Sequence, residues 1–204
     1  LKEKKIKRLF LTKACNLYSE KSDWEKLNYY NLKYHWEDRE KLINDHDYLK
    51  FFYEEVLILL RFELNKIHNL NEDIDYWRII IGPWLIHYIP IIYDKWETLR
   101  LAFKNDKFFS FVEIIQDQII PDDFNDFIEI LQTDDWNQQI YQRIINKNYN
   151  KRVDILKQLK RQKNRIKNYK IISKERILNI IDNFLKLFNS ENAYFFHKFN
   201  NSQY

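Results

Sequence analysis

His35, Trp36, Asp38 and Arg39 fall within five consecutive positions, immediately before a run with helical spacing. Backbone N–H groups at a helix N-terminus gather anions. Arg39 adds a planar fork that suits phosphate or carboxylate. The same residues also fit a plain helix start, with Asp38 as cap and Trp36 as an aromatic plug. A second constellation lies in the segment Tyr76–Tyr93, where Arg78 is the only formal charge. An arginine in apolar surroundings requires an acidic partner or an anionic ligand. Asp75, Asp94 and Glu97 are the nearby acids. His87 stands nine residues after Arg78. At about 3.6 residues per turn an unbroken helix puts the two on opposite faces. They can share a pocket only if the helix breaks between them.

The means to break it is present. The only glycine of the chain, Gly82, is followed by Pro83, and Pro90 comes seven residues later. Gly costs about 1 kcal/mol and Pro about 3 kcal/mol in a helix interior. Something must offset that cost: either a close backbone approach that needs Gly82, or a site that needs a kink. The expectation is a helix kinked or split at Gly82-Pro83, with both residues structural.

Other chemistries have little to stand on. The histidines at 35, 46, 68, 87 and 197 do not pair at ligand spacing with one another or with Cys15, so no metal site is expected. His46 with Asp45 and Asp47 reads as a solvated triplet. One cysteine makes no internal disulfide, and Cys15 reads as a small buried side chain. One glycine builds neither a phosphate loop nor a nucleophile elbow. The sharpest charge cluster is Lys151–Lys170, read as a basic helix over about 151–169, able to meet nucleic acid or an anionic membrane surface.

These groups need elements to hold them. Lys5–Thr12 reads as a strand, and 14–34 as loop with a short helix. Leu42, Leu49, Phe52, Val56, Leu60 and Leu64 recur at helical spacing and predict a helix over about 38–67. A second long helix is expected over about 75–104, apolar nearly all round between Trp77 and Tyr93 and so central and buried. Phe108–Ile115 reads as a buried strand, and Phe124–Gln132 and Asp134–Asn146 as helices. Ser173 caps an expected amphipathic helix Glu175–Phe188, and Ala193–Phe199 reads as a further strand. Strands separated by helices indicate an α/β class dominated by helix, with few short strands.

The chain has 204 residues, is 45% hydrophobic and 17% aromatic, and carries 34 basic against 30 acidic groups. That suffices for one domain with a core and excludes a disordered composition. A net charge of +4 gives no reason of its own to expect nucleic acid. The 18 residues of Tyr76–Tyr93 raise the membrane question, but Arg78, His87 and two prolines argue against a span. Methionine is absent, even at position 1, which suggests part of a longer reading frame.

Three blocks carry a resemblance: Leu17-Tyr-Ser-Glu-Lys with Trp24-Glu-Lys-Leu; Tyr34-His-Trp-Glu-Asp-Arg-Glu-Lys-Leu42; and Tyr76-Trp-Arg-Ile-Ile-Ile-Gly-Pro-Trp-Leu85 with Tyr93-Asp-Lys. In order and spacing they resemble the N-terminal part of the transferase family found in lipopolysaccharide O-antigen loci. The stretches Asp126-Phe-Ile-Glu-Ile-Leu and Asp135-Trp-Asn-Gln-Gln-Ile-Tyr extend the likeness more weakly. The resemblance implies a cytoplasmic, membrane-peripheral sugar transferase with a two-lobed, Rossmann-like (GT-B-like) architecture, of which residues 1–204 are the N-terminal lobe. It implies a nucleotide-sugar donor held by a missing C-terminal lobe, and a sugar or lipid-linked saccharide as acceptor. No cofactor is implied for these residues, and no catalytic residue carries over. Arg39, Arg78 and His87 then become candidates for acceptor or phosphate groups, and Trp36, Trp77 or Trp84 for stacking on a sugar ring. The alternative is a binding module working through the basic segment 151–170.

Overall fold

Asp38 starts one of the two long helices of the chain's described part. Its carboxylate accepts from the backbone N–H groups of Glu40 (3.0 Å) and Lys41 (3.1 Å), and the chain then runs helical over Arg39–His68. In the computed structural model, which describes residues 8–13, 21–105, 109–115, 117–149 and 153–160, the elements begin with strand β1 (Arg8–Phe10) and helix α1 (Lys21–Trp24). Strand β2 (Tyr29–Asn31), a 3-10 turn over His35–Glu37 and helix α2 (Arg39–His68) follow. Next come helix α3 (Ile74–Asn105), strand β3 (Phe109–Ile115), helices α4 (Phe124–Ile130) and α5 (Asp134–Asn148), and strand β4 (Val153–Lys160).

Asn69 ends α2 in the left-handed conformation, φ 54°, and its N–H returns to the carbonyl of Asn65. Asn65 then fixes the turn into α3. Its amide accepts from Glu72 N–H (3.1 Å) and Trp77 Nε1 (2.9 Å) and donates to the Glu72 carbonyl (2.8 Å). α2 and α3 therefore pack as a hairpin. Leu49, Phe52, Val56 and Leu57 of α2 meet Leu85, Ile89, Ile92 and Trp96 of α3, and Phe127, Trp136, Ile140 and Ile144 close the core from α4 and α5. Each fully buried side chain of this size contributes about 1.5–3 kcal/mol.

α3 passes through Gly82-Pro83 and Pro90 as one helix, so the expected split does not occur. Two local features explain the tolerance. Each proline leaves one carbonyl without its helical partner, on Ile79 and Ile86. Both residues face outward, 75% and 61% exposed, so water can take the place of the missing donor. Gly82 has a different reason. A Cβ there would lie 2.6 Å from the Tyr53 hydroxyl of α2, so the absent side chain lets the helices close. Nor is α3 buried all round. Tyr76, Ile79, Ile80 and Ile86 are exposed, because α2, α4 and α5 cover only part of its first half.

Two parallel strand pairs complete the architecture: β1 with β2, and β3 with β4. The β3–β4 register runs from Phe109 opposite Val153 to Ile115 opposite Lys160, with an irregularity between Phe111 and Val112. This corrects the basic-helix expectation for Val153–Lys160. The lysines at 157 and 160 suggested a solvated helix, but pairing with β3 overrides local propensity. Residues 161–169 of that expectation, the helix at 175–188, the strand at 193–199 and Cys15 lie outside the described residues. A parallel pair joined through helices is the α/β signature. The fold is helix-dominated with few short strands.

Candidate functional site

The 3-10 turn delivers His35 and Trp36 onto the α2–α3 hairpin, where they meet Asp45 and Asp94, and Lys41 extends the network to Glu97 and Arg100. His35 is buried, and its Nε2 lies 3.0 Å from Asp94 Oδ1 of α3. A carboxylate only accepts, so this nitrogen carries the proton. The other ring nitrogen, Nδ1, has no hydrogen-bond partner and stands 3.9 Å from Asp45 Oδ2. Trp36 donates through Nε1 to Asp45 Oδ2 (2.9 Å) and lies near-parallel to Tyr93 with ring centroids 6.3 Å apart. Lys41 donates to both Asp45 oxygens (2.8 and 3.0 Å) and reaches Glu97 (3.1 Å). Arg100 grips Glu97 with two nitrogens, one at 2.8 Å to Oε1 and the other, Nε, to Oε2.

The electrostatics follow from burial and pairing. Burial alone would push the Glu97 carboxyl up, but the Arg100 guanidinium and the Lys41 ammonium together hold it below the usual carboxylate range. Burial and the Asp45 charge push the Tyr48 phenol up to about 12. Tyr93 moves the same way, through burial, Asp45 and Glu97, and Tyr34 through burial and its bond to Asp94. These tyrosines stay protonated donors at neutral pH. Asp45 thus accepts from Trp36 and Lys41, and Asp94 from His35. Asp94, Lys41 and Arg100 keep part of their surface exposed and form the rim. A ligand at this rim meets one carboxylate able to accept from a hydroxyl and two cations able to take an anion.

The candidates read from the sequence are distributed as follows. Trp36 belongs to the cluster. Arg39 is exposed on the first turn of α2. Arg78 does not meet Asp94 or Glu97. It pairs with Glu54 of α2 through two bonds (2.7 and 2.8 Å), with Asp75 at 3.7 Å. His87 is exposed near the Phe124 ring at 5.7 Å, and the unbroken helix keeps it apart from Arg78. Trp84 stacks on Tyr88 at 4.4 Å and abuts Phe127, as part of the core wall. Asp45, expected to be solvated, is buried and central. Asp45, Lys41 and Arg100 were missed because each is an ordinary helix charge in the sequence. The available signal was the spacing Lys41–Asp45 and Glu97–Arg100, at i,i+4 and i,i+3. Among the described residues no group of three or more His, Cys, Asp or Glu is placed to hold a metal ion, and no helix is long and apolar enough to cross a membrane.

Tyr34, His35, Trp36 and Lys41 come from one block of the family resemblance, and Tyr93 and Asp94 from another. The fold brings these two blocks together. A family profile described as "LIC12162 family transferase" matches residues 2–204. The chain belongs to this transferase family. No curated protein and no solved structure matches it. In this family transferase the segments 34–41 and 93–94 therefore meet in one polar cluster between α2 and α3.

Proposed function

We propose that the chain is the N-terminal lobe of a sugar transferase of surface-polysaccharide (O-antigen) synthesis, with a two-lobed, Rossmann-like architecture and a cytoplasmic, membrane-peripheral place of work. Its reaction moves a sugar from an activated nucleotide-linked donor onto a lipid-linked or saccharide acceptor. The convergence of the segments 34–41 and 93–94 on one cluster carries this reading. Asp94 accepts from an acceptor hydroxyl at the rim, with His35 and Tyr34 fixing its orientation from behind. Arg39, Lys41 and Arg100 offer positive charge to a phosphate, and the half-buried Trp36 offers an aromatic face next to it. Arg78, His87 and Trp84 lie outside this cluster and take no part in the proposed contact. The alternative, a binding module working through the basic segment 151–170, keeps no helix over Val153–Lys160, which is a strand, and the rest of that segment lies outside the described residues.

The test is sugar transfer by the full-length protein. We expect Asp94→Asn to lower turnover by about a hundredfold with the far-ultraviolet spectrum unchanged. Arg39→Gln should raise KM for a phosphorylated acceptor and leave turnover intact. Full activity in Asp94→Asn overturns the assignment of the site.

A further inference from the structure

The outer face of the first half of α3 is apolar and exposed. Tyr76, Ile79, Ile80 and Ile86 stand on it, and Pro83 and His87 complete it. These positions recur at i, i+3, i+4, i+7, i+10 and i+11, which makes one stripe about 18 Å long. No Asp, Glu, Lys or Arg lies on the stripe. A contiguous apolar face on a water-facing helix marks a docking surface.

Acids frame the stripe at both ends. Asp73 and Asp75 are exposed at the start of α3. At the other end the Phe124 ring of α4 lies 5.7 Å from the His87 ring, and Asp122 and Asp123, just before it in sequence, are exposed. The neighbouring cation Arg78 is already held by Glu54 and Asp75. A fitting occupant is therefore apolar on one side and positive at its ends. A second copy of the same face, or an anionic bilayer, sets negative charge against these acids.

The chain carries such an occupant outside the described residues. Residues 161–176 hold seven basic groups and one acid. Ile177, Ile180, Ile181, Phe184 and Phe188 follow at helical spacing, and a helix over Glu175–Phe188 is about 21 Å long. The tether reaches. β4 ends at Lys160, opposite Ile115. Even fully extended, the chain from Ile115 to Phe124 spans only about 30 Å, and Phe124 already borders His87. The stretch 161–176 extends to about 50 Å.

We propose that the segment Glu175–Phe188 docks on the outer stripe of α3, antiparallel to it. The tether then arrives at the His87 end, where Lys174 and Arg176 meet Asp122 and Asp123. Lys186 falls beside Asp75 at the far end. In this sense Ile177 lies opposite Ile86, and Phe184 opposite Ile79. Packed helix axes stay about 8–10 Å apart, so water still enters from the sides to the carbonyls freed by the two prolines. No residue of the His35 cluster takes part, so the inference stands apart from the assignment of that site.

The test is disulfide trapping in the full-length protein, with Cys15→Ser and any other native cysteine replaced by serine. Two matched pairs are made, Ile86→Cys/Ile177→Cys and Ile79→Cys/Phe184→Cys. Two swapped pairs, Ile79→Cys/Ile177→Cys and Ile86→Cys/Phe184→Cys, serve as controls. Copper phenanthroline is the oxidant, and a non-reducing gel separates internal from intermolecular disulfides. We expect both matched pairs to close within one chain at least tenfold faster than the swapped pairs. Lys174→Glu/Arg176→Glu should slow the Ile86–Ile177 pair at least threefold. All the cysteines on α3 replace exposed side chains, so folding survives, as an unchanged far-ultraviolet spectrum would show. Equal rates in matched and swapped pairs overturn the proposal, because they mean random encounter. Faster closure of the swapped pairs overturns the antiparallel sense. Disulfides between chains overturn the proposal in favour of a second copy, and no disulfide in either matched pair leaves the stripe to another partner and overturns it as well.

Discussion

Gly82 shows how one residue's chemistry is set by a partner far away in sequence. Alanine is favoured over glycine in a helix by about 1 kcal/mol, so Gly82→Ala ought to stabilise α3. The added methyl would instead meet the Tyr53 hydroxyl at 2.6 Å, and overpacking of this kind costs about 1–3 kcal/mol. The clash therefore cancels or exceeds the propensity gain, and we expect Gly82→Ala to be neutral to destabilising. The Tyr53 ring carbon behind the hydroxyl lies 3.8 Å from the same point, an ordinary contact. In a Tyr53→Phe background the sign should reverse, with Gly82→Ala stabilising by up to about 1 kcal/mol. Urea denaturation of the four proteins measures the coupling. The same loss or gain in both backgrounds would show that the hydroxyl is not the obstacle.

At the scale of elements, the helix periodicity was readable and the packing was not. α2, α3 and α5 fall within one or two residues of their expected bounds, because Asp38 and the i, i+3, i+4 apolar pattern mark the long helices locally. β2 was hidden in a mixed aromatic stretch. β4 was misread because its lysines carry no sign of the strand opposite. The site was legible only in part. Trp36 stood out by its place just before the helix, whereas Asp45 and Glu97 acquire their environment only when α3 crosses α2. The prolines of α3 provide the matching test. Pro83 is exposed, so replacing it by alanine removes little packing and restores an N–H for the Ile79 carbonyl. We expect Pro83→Ala to raise stability by up to about 3 kcal/mol, and Pro90→Ala, at a half-buried position, by less. A melting temperature that falls in Pro83→Ala would mean that the ring makes a contact of its own.

For the whole molecule, the buried charge at the α2–α3 crossing couples stability to pH. Glu97 is the most enclosed acid of the cluster, with its side chain 1% exposed, and it ties Lys41 of α2 to Arg100 of α3. Its carboxyl is held below the ordinary value of 4.5. A depressed folded-state pKa means that the unfolded chain takes up the proton first on acidification. The stabilisation is therefore complete above about pH 4.5 and is lost as pH falls through the folded-state value. Glu97→Gln keeps the shape and removes the charge, leaving Lys41 and Arg100 without this counter-ion. At pH 7 we expect a loss of about 1–3 kcal/mol, less than for a fully enclosed pair because both cations reach solvent. Other carboxylates titrate alike in the two proteins, so the difference between them isolates Glu97. That difference should be constant from pH 7 to pH 5.5 and should shrink towards pH 3, as measured by urea midpoints. A gap that stays constant down to pH 3 would mean that Glu97 does not titrate with unfolding, and the charge pairing between the two long helices would then not be what acid removes.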